Sequence, residues 1–463
     1  MPILNFTLTY ISEFYWNNPK LAVTLALSSC LTLLSLFLMN QRSHKVFLVD
    51  FTCYKPPVTQ MCPRDVTLEH ARLYVNASEE TSNFMKKTME RSGLGDSTYL
   101  PEALLREHPN PCMKEARKEA EMSMFGSIDT LLEKTSVQCK EIGILIVNCC
   151  IFNVVPSLSS MIVNRYKLRE DVISYNLSGM GCSAGVLAIG FAKQLLQVHQ
   201  NSYALVVSTE NITENCYLGS ERSKILINCL FRVGGAAILL SNRPSDRGSS
   251  KYQLAQTVHT HTASSDRSYN CIFQEEDLEG HVGVTITKDL LAAANKAIQS
   301  NVSTLGPMIL PVSEKLLFLA NYTMRHLNLA KLKPFSPDFK RAVNHFCAHV
   351  GGKPVLDELE RNLGFNDAYM EASRMTLYRF GNTSSSSVWY ELAYSEAKGR
   401  VQKGDRVWQL QFGSGFKCSS AVWRALRNID YDKTNPWSEE IDEFPVHPDN
   451  NDEAFPFYFE SSK

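Results

Sequence analysis

One stretch of the sequence, residues 141–208, constrains the fold most because it alternates strand-like and helix-like patterns. Its first run, EIGILIVNCC at 141–150, is almost continuously apolar, which is typical of a strand buried on both faces. Shorter strand candidates follow at 171–177 and 204–208, and between them residues 184–198 place apolar side chains at helical spacing. Strand, helix and strand in this order predict a parallel layer and the α/β class.

A similar local pattern occurs once in each half of the chain. The turn GMGCSAGV at 179–186 precedes a helix candidate in the first half, and GNTSSSSV at 381–388 precedes one in the second. A glycine-containing strand pattern closes each half, RVGGAAILL at 232–240 and FGSGFKCSSAV at 412–422. These pairs predict two related halves whose helix N-termini meet at a shared site.

The overall composition excludes several kinds of site. The 463 residues, 44% of them hydrophobic, can build a large core, and 47 basic against 48 acidic side chains leave no basic excess for nucleic acid. The 13 cysteines form no paired CxxC motifs, which indicates reduced thiols facing the cytosol. The sequence contains neither a P-loop, nor a dinucleotide-binding glycine motif, nor the zinc motif HEXXH, so no cofactor or metal is expected.

An uncharged apolar run at 21–39 has nearly the length that a helix needs to cross a bilayer. Arg42, Lys45 and Lys55 follow the run while only Lys20 precedes it, so the positive-inside rule places the main domain in the cytosol. The alternative, a secretory signal peptide, would have a shorter apolar region and a small-residue cleavage site, whereas this run ends in Asn-Gln-Arg.

Cys182 is the cysteine whose surroundings best fit a nucleophile. It follows a glycine turn and opens a predicted helix, where the positive end of the helix dipole favours the thiolate. A thiolate can accept an acyl group from a thioester. The alternative is a buried cysteine that serves only as a small apolar side chain.

Further polar residues are candidates for the same site. His349 precedes a glycine loop, which favours a role as proton acceptor, whereas His345 has an alternative structural role in packing or hydrogen bonding. Asn382 is either the N-cap of its helix, an amide donor to an oxygen that becomes negative during reaction, or both. His261 ends a strand candidate and, taken alone, fits an ordinary polar residue.

Six motifs together resemble the plant-type 3-ketoacyl-CoA synthases, the membrane-bound condensing enzymes of very-long-chain fatty acid elongation. The motifs are LVDFTCYKPP (48–57), NLSGMGCSAG (176–185), FRVGGAAILLSN (231–242), HFCAHVGGKPVLDELERNLG (345–364), RFGNTSSSSVWYEL (379–392) and QFGSGFKCSSAVW (411–423). More distantly the chain resembles chalcone synthases and bacterial ketoacyl synthase III, which share the thiolase fold and a Cys-His-Asn triad.

The resemblance implies an α/β fold of thiolase-like αβαβα layers, built from two pseudo-duplicated halves and usually dimeric. It implies that Cys182 is the acyl-accepting cysteine, His349 the catalytic histidine and Asn382 the catalytic asparagine. His261 and His345 match histidines that the family tends to keep, so they are possible supporting residues.

Four segments are therefore expected along the chain. They are a membrane anchor at 1–45, a thiolase-like half with the nucleophile at 46–245, a second half with the histidine and asparagine at 246–430, and an acidic tail at 431–463. Residues 439–463 of this tail hold eight acidic side chains among prolines and asparagines, so we expect them to be extended or loosely packed.

The sequence departs from the family pattern in two places. Tyr378 stands where the family usually has His, and we expect it to support the loop that orients Asn382. One clear membrane span is visible where the family shows two, and the first sixteen residues either lie in the membrane interface or form a short second element.

The activity implied by the resemblance is a decarboxylative condensation. A long or very-long-chain acyl-CoA acylates Cys182, malonyl-CoA loses CO2 while His349 and Asn382 hold its thioester oxygen, and a 3-ketoacyl-CoA is released. The expected setting is the endoplasmic reticulum membrane, with the catalytic domain in the cytosol and other elongation enzymes as partners. Two alternatives stay open at this point: a type III polyketide-type synthase, and a catalytically weak relative that acts as a partner in an elongase complex.

Overall fold

The chain is represented by a computed structural model that describes residues 23–24, 27–35, 44–75, 78–327, 333, 335 and 337–446. It divides into two units, 1–45 and 46–463. In the first unit the described residues 23–24 and 27–35 are helical with exposed side chains, and the rest of the expected span at 21–39 lies outside the described residues. Within the described part of the chain, the helical window with the length and hydropathy of a membrane span is Gly181–Val198, of which 56% is buried.

The second unit alternates strands and helices along the chain. Its strands are β1 (Phe47–Cys53), β2 (Ile142–Asn148), β3 (Ile173–Leu177), β4 (Tyr203–Thr209), β5 (Gly235–Ser241), β6 (Tyr252–His261), β7 (Ile272–Glu276), β8 (Val282–Ile286), β9 (His345–Ala348), β10 (Arg406–Gly413) and β11 (Lys417–Ala425). Its helices are α1 (Arg64–Val75), α2 (Glu79–Arg91), α3 (Glu102–Leu105), α4 (Met113–Thr135), α5 (Leu158–Tyr166), α6 (Ala184–Val198), α7 (Ile212–Asn215), α8 (Arg222–Leu230), α9 (Asp266–Tyr269), α10 (Leu290–Ile309), α11 (Val312–His326), α12 (Lys353–Leu363), α13 (Asp367–Phe380) and α14 (Ser387–Ala397). The predicted elements between residues 141 and 208 are present as β2, β3, α6 and β4.

The sheet topology repeats between the two halves. Nine strands form one sheet in the order β3-β2-β4-β5-β1-β6-β11-β10-β9, and the hairpin β7-β8, which the sequence pattern did not predict, forms a separate sheet. The run β2-β4-β5-β1 corresponds to β9-β10-β11-β6, because in each run the first pair is parallel and the next two are antiparallel. The two runs meet where β1 pairs with β6. The paired turn motifs therefore belong to a true topological repeat.

The helices arrange these strands into αβαβα layers. Helix α4 covers β1, β4 and β5 on the outside, and α10 covers β6 and β11. Helices α6 and α14 lie between the halves, since α6 contacts β2 and β4 as well as β10 and β11, and α14 contacts β1 as well as β9. Along β2, Ile144 and Ile146 pack toward the inner helices while Leu145 and Val147 pack toward α4. Burial on both faces explains the continuous apolar run in the sequence.

The beginning of the acidic tail is packed, which corrects the expectation of a loose segment. Trp437 is fully buried, and its ring lies 5.0 Å from that of Phe444. Glu440 accepts a hydrogen bond from the buried Arg379 at 2.9 Å. The apolar anchors and this ion pair hold the chain up to residue 446 on the domain, and the remaining tail, 447–463, lies outside the described residues.

Candidate active site

Cys182 lies at the entrance of the inner helix α6, as the sequence predicts. It is the central residue of a single 3-10 turn, Gly181–Ser183, that runs directly into the helix. Gly181 has a φ of +64°, and a Cβ atom there would lie 2.4 Å from the backbone nitrogen of Ser414. Only glycine allows both this backbone conformation and this close approach. The turn thus places the loop after β10 beside the cysteine.

Ser384 links the cysteine to a buried carboxylate. Its Oγ lies 3.4 Å from Cys182 Sγ and 3.0 Å from Glu210 Oε2. A hydroxyl carries one proton, so Ser384 can donate either to the sulfur of Cys182 or to the carboxylate of Glu210 at any one time. Ser384 also has a φ of +56°, a strained conformation for serine that persists only where the surroundings fix it.

Glu210 follows β4 and is surrounded by donors. The backbone N–H groups of Cys150 and Ile151 and the Sγ of Cys149 each lie 3.3 Å from its carboxylate oxygens. Burial raises the pKa of Glu210, and these hydrogen bonds act in the opposite direction. The arrangement suits a carboxylate that receives hydrogen bonds on both oxygens.

His349 directly follows β9 and is only 4% exposed. Burial lowers the pKa of His349 to about 3, so the imidazole is neutral at physiological pH. Its Nδ1 lies 3.5 Å from Ser387 Oγ, and the same Oγ lies 2.9 Å from the backbone oxygen of Ser384. The ring of Phe412 stands edge-on to the imidazole at a centroid distance of 5.1 Å. Ser387 therefore links His349 to Ser384, the residue whose side chain contacts Cys182.

Asn382 is 2% exposed and lies in the turn between α13 and α14. Its Oδ1 accepts a hydrogen bond from the backbone N–H of Ser384 at 2.9 Å, which is a capping contact. Because this bond fixes the carbonyl end of the amide, the Nδ2 donors occupy the opposite end, where no hydrogen bond forms with the described residues. The structural and the chemical role that the sequence left open are thus compatible in one side chain.

The protonation state of Cys182 differs from the expectation. Burial raises the pKa of the Cys182 thiol to about 12, while the hydrogen bond with Ser384 lowers it and the charge of Glu210 raises it. The resting thiol is therefore protonated at neutral pH, because desolvation outweighs the hydrogen bonds that favour the thiolate. With a neutral His349, the resting site holds an uncharged cysteine and histidine.

The two possible supporting histidines lie apart from this network. His345 opens β9, at the end of the strand opposite to His349, and its Nε2 lies 3.0 Å from Asp405 Oδ2. His261 is exposed at the end of β6, where its Nδ1 accepts from the backbone N–H of Ala263 at 3.3 Å. Within the described residues these contacts are structural, so neither histidine joins the residues around Cys182.

Tyr378 does not support the Asn382 turn in the way expected. Its ring lies against Gly95, where a Cβ atom would be 2.7 Å from the Tyr378 Cζ, and at 6.4 Å from the ring of Phe444. The turn is instead held by backbone hydrogen bonds: Asn382 N–H donates to Leu230 at 3.2 Å, and Arg232 N–H donates to Asn382 at 3.0 Å. The helical geometry of α13 directs the tyrosine side chain away from its end.

Ser384, Ser387 and Glu210 were not singled out from the sequence. The signal for the serines was the unbroken run TSSSS after Asn382, in which all four serines are buried. Four buried hydroxyls need partners, which marks a polar network. Glu210 follows an apolar strand pattern, but its proximity to Ser384 could not be predicted from the residues around it in the sequence.

Comparison with known proteins identifies the family. Residues 38–327 match the family described as FAE1/Type III polyketide synthase-like protein, and residues 340–425 match the C-terminal domain of 3-oxoacyl-[acyl-carrier-protein] synthase III. The chain is 57% identical over 453 residues to 3-ketoacyl-CoA synthase 2 of Arabidopsis thaliana, covering 96% of this chain and 86% of that protein. The chain belongs to the 3-ketoacyl-CoA synthases. It is also 58% identical over 415 residues to 3-ketoacyl-CoA synthase 11 of the same plant, covering 89% of this chain and 81% of the relative.

The fold of this 3-ketoacyl-CoA synthase family member has a counterpart among solved structures. The C-terminal type III polyketide synthase domain of Steely1, a type I/III hybrid from Dictyostelium, matches with a TM-score of 0.62. The match covers 82% of this chain and 99% of that domain at 16% identity. At this identity the likeness shows the thiolase-like fold alone, which agrees with the layered repeat.

Proposed function

We propose that this synthase is an acyltransferase that condenses a long or very-long-chain acyl-CoA with malonyl-CoA. The observation that carries the proposal is the meeting of the two helix-entry turns at Ser384. Its Oγ contacts the sulfur of Cys182, and its backbone N–H fixes the amide of Asn382. A nucleophile for acyl transfer and a donor for a carbonyl oxygen are thereby held by one residue, which is the combination that condensation requires.

In the first half-reaction the Cys182 sulfur attacks the acyl-CoA carbonyl carbon. The thiol proton leaves as the C–S bond forms, and the neutral His349 is the base that can accept it. The bond from the acyl carbon to the CoA sulfur then breaks, and the CoA thiolate takes the proton from His349. The products are acyl-Cys182 and free CoA. Transfer of the proton during attack suits a thiol that is protonated at rest.

In the second half-reaction malonyl-CoA loses CO2, and negative charge moves onto its thioester oxygen. The Nδ2 of Asn382 donates to that oxygen, and His349 donates when its Nε2 carries a proton. The enolate carbon attacks the acyl-Cys182 carbonyl, the bond to sulfur breaks, and 3-ketoacyl-CoA leaves. The Cys182 thiolate then takes one proton from water, and the hydroxide that remains carries the negative charge that the malonyl carboxylate brought in.

Ser387 allows His349 to serve in both steps. When the Ser387 hydroxyl donates to the Ser384 carbonyl, it accepts from Nδ1–H, and Nε2 is a free base. When the hydroxyl rotates to donate to Nδ1, Nε2 carries the proton and becomes a donor. The two partners within reach of Ser387 Oγ therefore match the two tautomers that the half-reactions need.

We also propose a setting for this reaction. The apolar run at 21–39 and the basic residues after it support a membrane anchor with the catalytic domain in the cytosol, and the family resemblance points to the endoplasmic reticulum as the membrane. A homodimer and other elongation enzymes as partners follow from the family resemblance. Protease added outside sealed microsomes should digest the catalytic domain, and protection of that domain would contradict the cytosolic orientation.

The activity is tested with the full-length protein reconstituted in lipid vesicles. Supplied with acyl-CoA and labelled malonyl-CoA, it should release labelled CO2 and a 3-ketoacyl-CoA that is longer by a single two-carbon unit. Cys418→Ala, which removes a buried cysteine of β11 far along the chain, should behave as the unmodified protein does. Products with several added units or a cyclised product would favour the polyketide alternative, and absence of condensation would favour the partner role.

A further inference from the structure

Helix α11 has its polar side turned inward. Glu314 is 3% exposed, and its carboxylate accepts from Arg341 at 2.7 Å and from the backbone N–H of Asp338 at 3.2 Å. Asn321, two helical turns later on the same face, exchanges hydrogen bonds of 3.2 Å with the backbone of Lys333 and Phe335. These polar contacts attach the helix to the segment that follows it, whereas a surface helix normally packs through apolar side chains.

The outward side of the same helix is apolar. Val312, Leu316 and Leu319 follow one another at helical spacing and are between 58% and 69% exposed. Phe318 and Tyr322 flank this row with about half of their surfaces exposed. Single exposed apolar residues are ordinary, but a contiguous apolar row on one helix face indicates a surface that contacts a lipid bilayer or another molecule.

The charges on this helix have one sign at the surface. Lys315 lies beside the apolar row, and Arg325 lies in the last turn. Glu314 is the acidic residue of the helix, and it is buried and paired with Arg341. The accessible face of α11 therefore combines leucine, phenylalanine and tyrosine side chains with cations, which is the composition of helices that lie in a membrane interface.

We propose that the outward face of α11 inserts into the headgroup region of a bilayer that contains anionic lipids. The inference rests on the proposed function for membrane attachment through residues 21–39. Only six residues, 40–45, separate Met39 from Val46, so the extended tether measures at most about 25 Å. A domain tethered this closely must keep some face near the lipid, and α11 supplies both the apolar row and the complementary charge.

A second copy of the chain fits this face less well. A symmetric dimer contact would place the same patch on both subunits. Lys315 and Arg325 of one copy would then approach those of the other, and the face has no accessible carboxylate to neutralise them. Anionic lipid headgroups provide the missing negative charge.

The experiment separates the domain from its anchor after reconstitution. The full-length protein, with a protease site inserted between Arg42 and Ser43, is placed in vesicles of phosphatidylcholine with phosphatidylserine, cleaved and floated. We expect the released domain to stay with the vesicles. In the double variant Leu316→Glu/Leu319→Glu, the vesicle-bound to free ratio should fall by about tenfold or more, since two apolar side chains lose their burial.

Matched controls separate docking from general effects of charge. The double variant Val198→Glu/Leu278→Glu changes two exposed apolar side chains elsewhere and should float as the unmodified protein does. Retention should weaken in vesicles of phosphatidylcholine alone and at high salt. Condensation activity measured before cleavage shows that each variant is folded. If the unmodified protein and all variants lacked this activity, the proposed function would be contradicted. Flotation would still test membrane docking in that case.

Three outcomes would overturn the inference. The first is complete release of the unmodified domain on cleavage. The second is equal release of both double variants. The third is a released unmodified domain that sediments as a dimer and becomes monomeric in the Leu316→Glu/Leu319→Glu variant, which would assign the face to a second copy.

Discussion

The turn at Cys182 and the turn at Asn382 share a backbone plan but differ in chemistry. Each passes through a single 3-10 turn into an inner helix that lies between the halves. The first turn is rich in glycine and leaves Cys182 partly accessible, whereas the second buries four consecutive serines. The difference shows that the two halves of a duplicated fold can take different chemical roles. The first half presents a reactive atom, and the second half supplies fixed hydrogen-bond partners for it.

The largest effect is expected at the first turn. Cys182→Ala should reduce condensation to background and abolish the acyl-enzyme, because the accepting sulfur is gone. Mass spectrometry after incubation with acyl-CoA alone measures the adduct. Cys150→Ala, which removes a neighbouring thiol that only accepts from the Gly181 N–H, should still form it. An adduct of equal yield in Cys182→Ala would assign the nucleophile to another residue.

The second turn is tested by Asn382→Ala. Malonyl-CoA decarboxylation should fall by about 10²–10³-fold, the usual loss when one donor to a developing oxyanion is removed. Acylation of Cys182 should fall much less, because Asn382 acts on the second half-reaction. Measuring the two half-reactions separately checks this division, and a loss confined to acylation would contradict it.

The third prediction uses the depressed pKa of His349. The unfolded histidine binds a proton below about pH 6.5, whereas the folded one binds it only near pH 3, so stability is complete above pH 6.5 and declines as the pH falls. The cost is roughly 2 kcal/mol at pH 5. Thermal unfolding between pH 7 and pH 5 should show a shallower decline in His349→Gln. The exposed His261→Gln is the control, and identical slopes in all three proteins would refute a buried neutral His349.

A smaller effect is expected for the hydroxyl that joins the turns. Ser384→Ala should slow acylation of Cys182 by about fivefold, since a single hydrogen bond contributes about 1 kcal/mol. Ser385→Ala, one residue along the same buried turn, removes only a 3.5 Å contact to Thr209 and should acylate normally. Rapid-quench measurement of the acyl-enzyme compares them. Equal slowing would indicate a packing effect rather than a link to Cys182.

The smallest effect is expected at Tyr378, whose ring lies outside the Asn382 turn. Tyr378→Phe keeps the ring contacts with Gly95 and Phe444, so condensation should stay within about twofold of the unmodified protein. A larger loss of condensation activity in Tyr378→Phe, together with full activity in Tyr378→His, would show that residue 378 does support the catalytic residues. Steady-state rates with saturating malonyl-CoA provide the measurement.

Local patterns in the sequence were sufficient for the elements that carry the site. The apolar run of β2 and the helical spacing of α6 predicted both elements to within a few residues. Glycine at 181 and 381 marked the two turns, since both positions adopt positive φ. The family motifs added the three proposed catalytic residues. These features are encoded by periodicity and backbone preference, which act over a few neighbouring residues.

The tertiary structure decided what those residues contact and which protonation state they hold. Ser384 and Cys182 are 202 positions apart in the chain, and only the meeting of the two halves brings them together. His345 contacts Asp405 within the second half, which is the structural role that the sequence left open, and Tyr378 lies against Gly95 of the first half instead of supporting the Asn382 turn. The neutral state of Cys182 and His349 depends on burial, and burial is set by the layers that enclose them. The sequence thus determined the elements and their turns, while desolvation and long-range packing determined the chemistry at their meeting point.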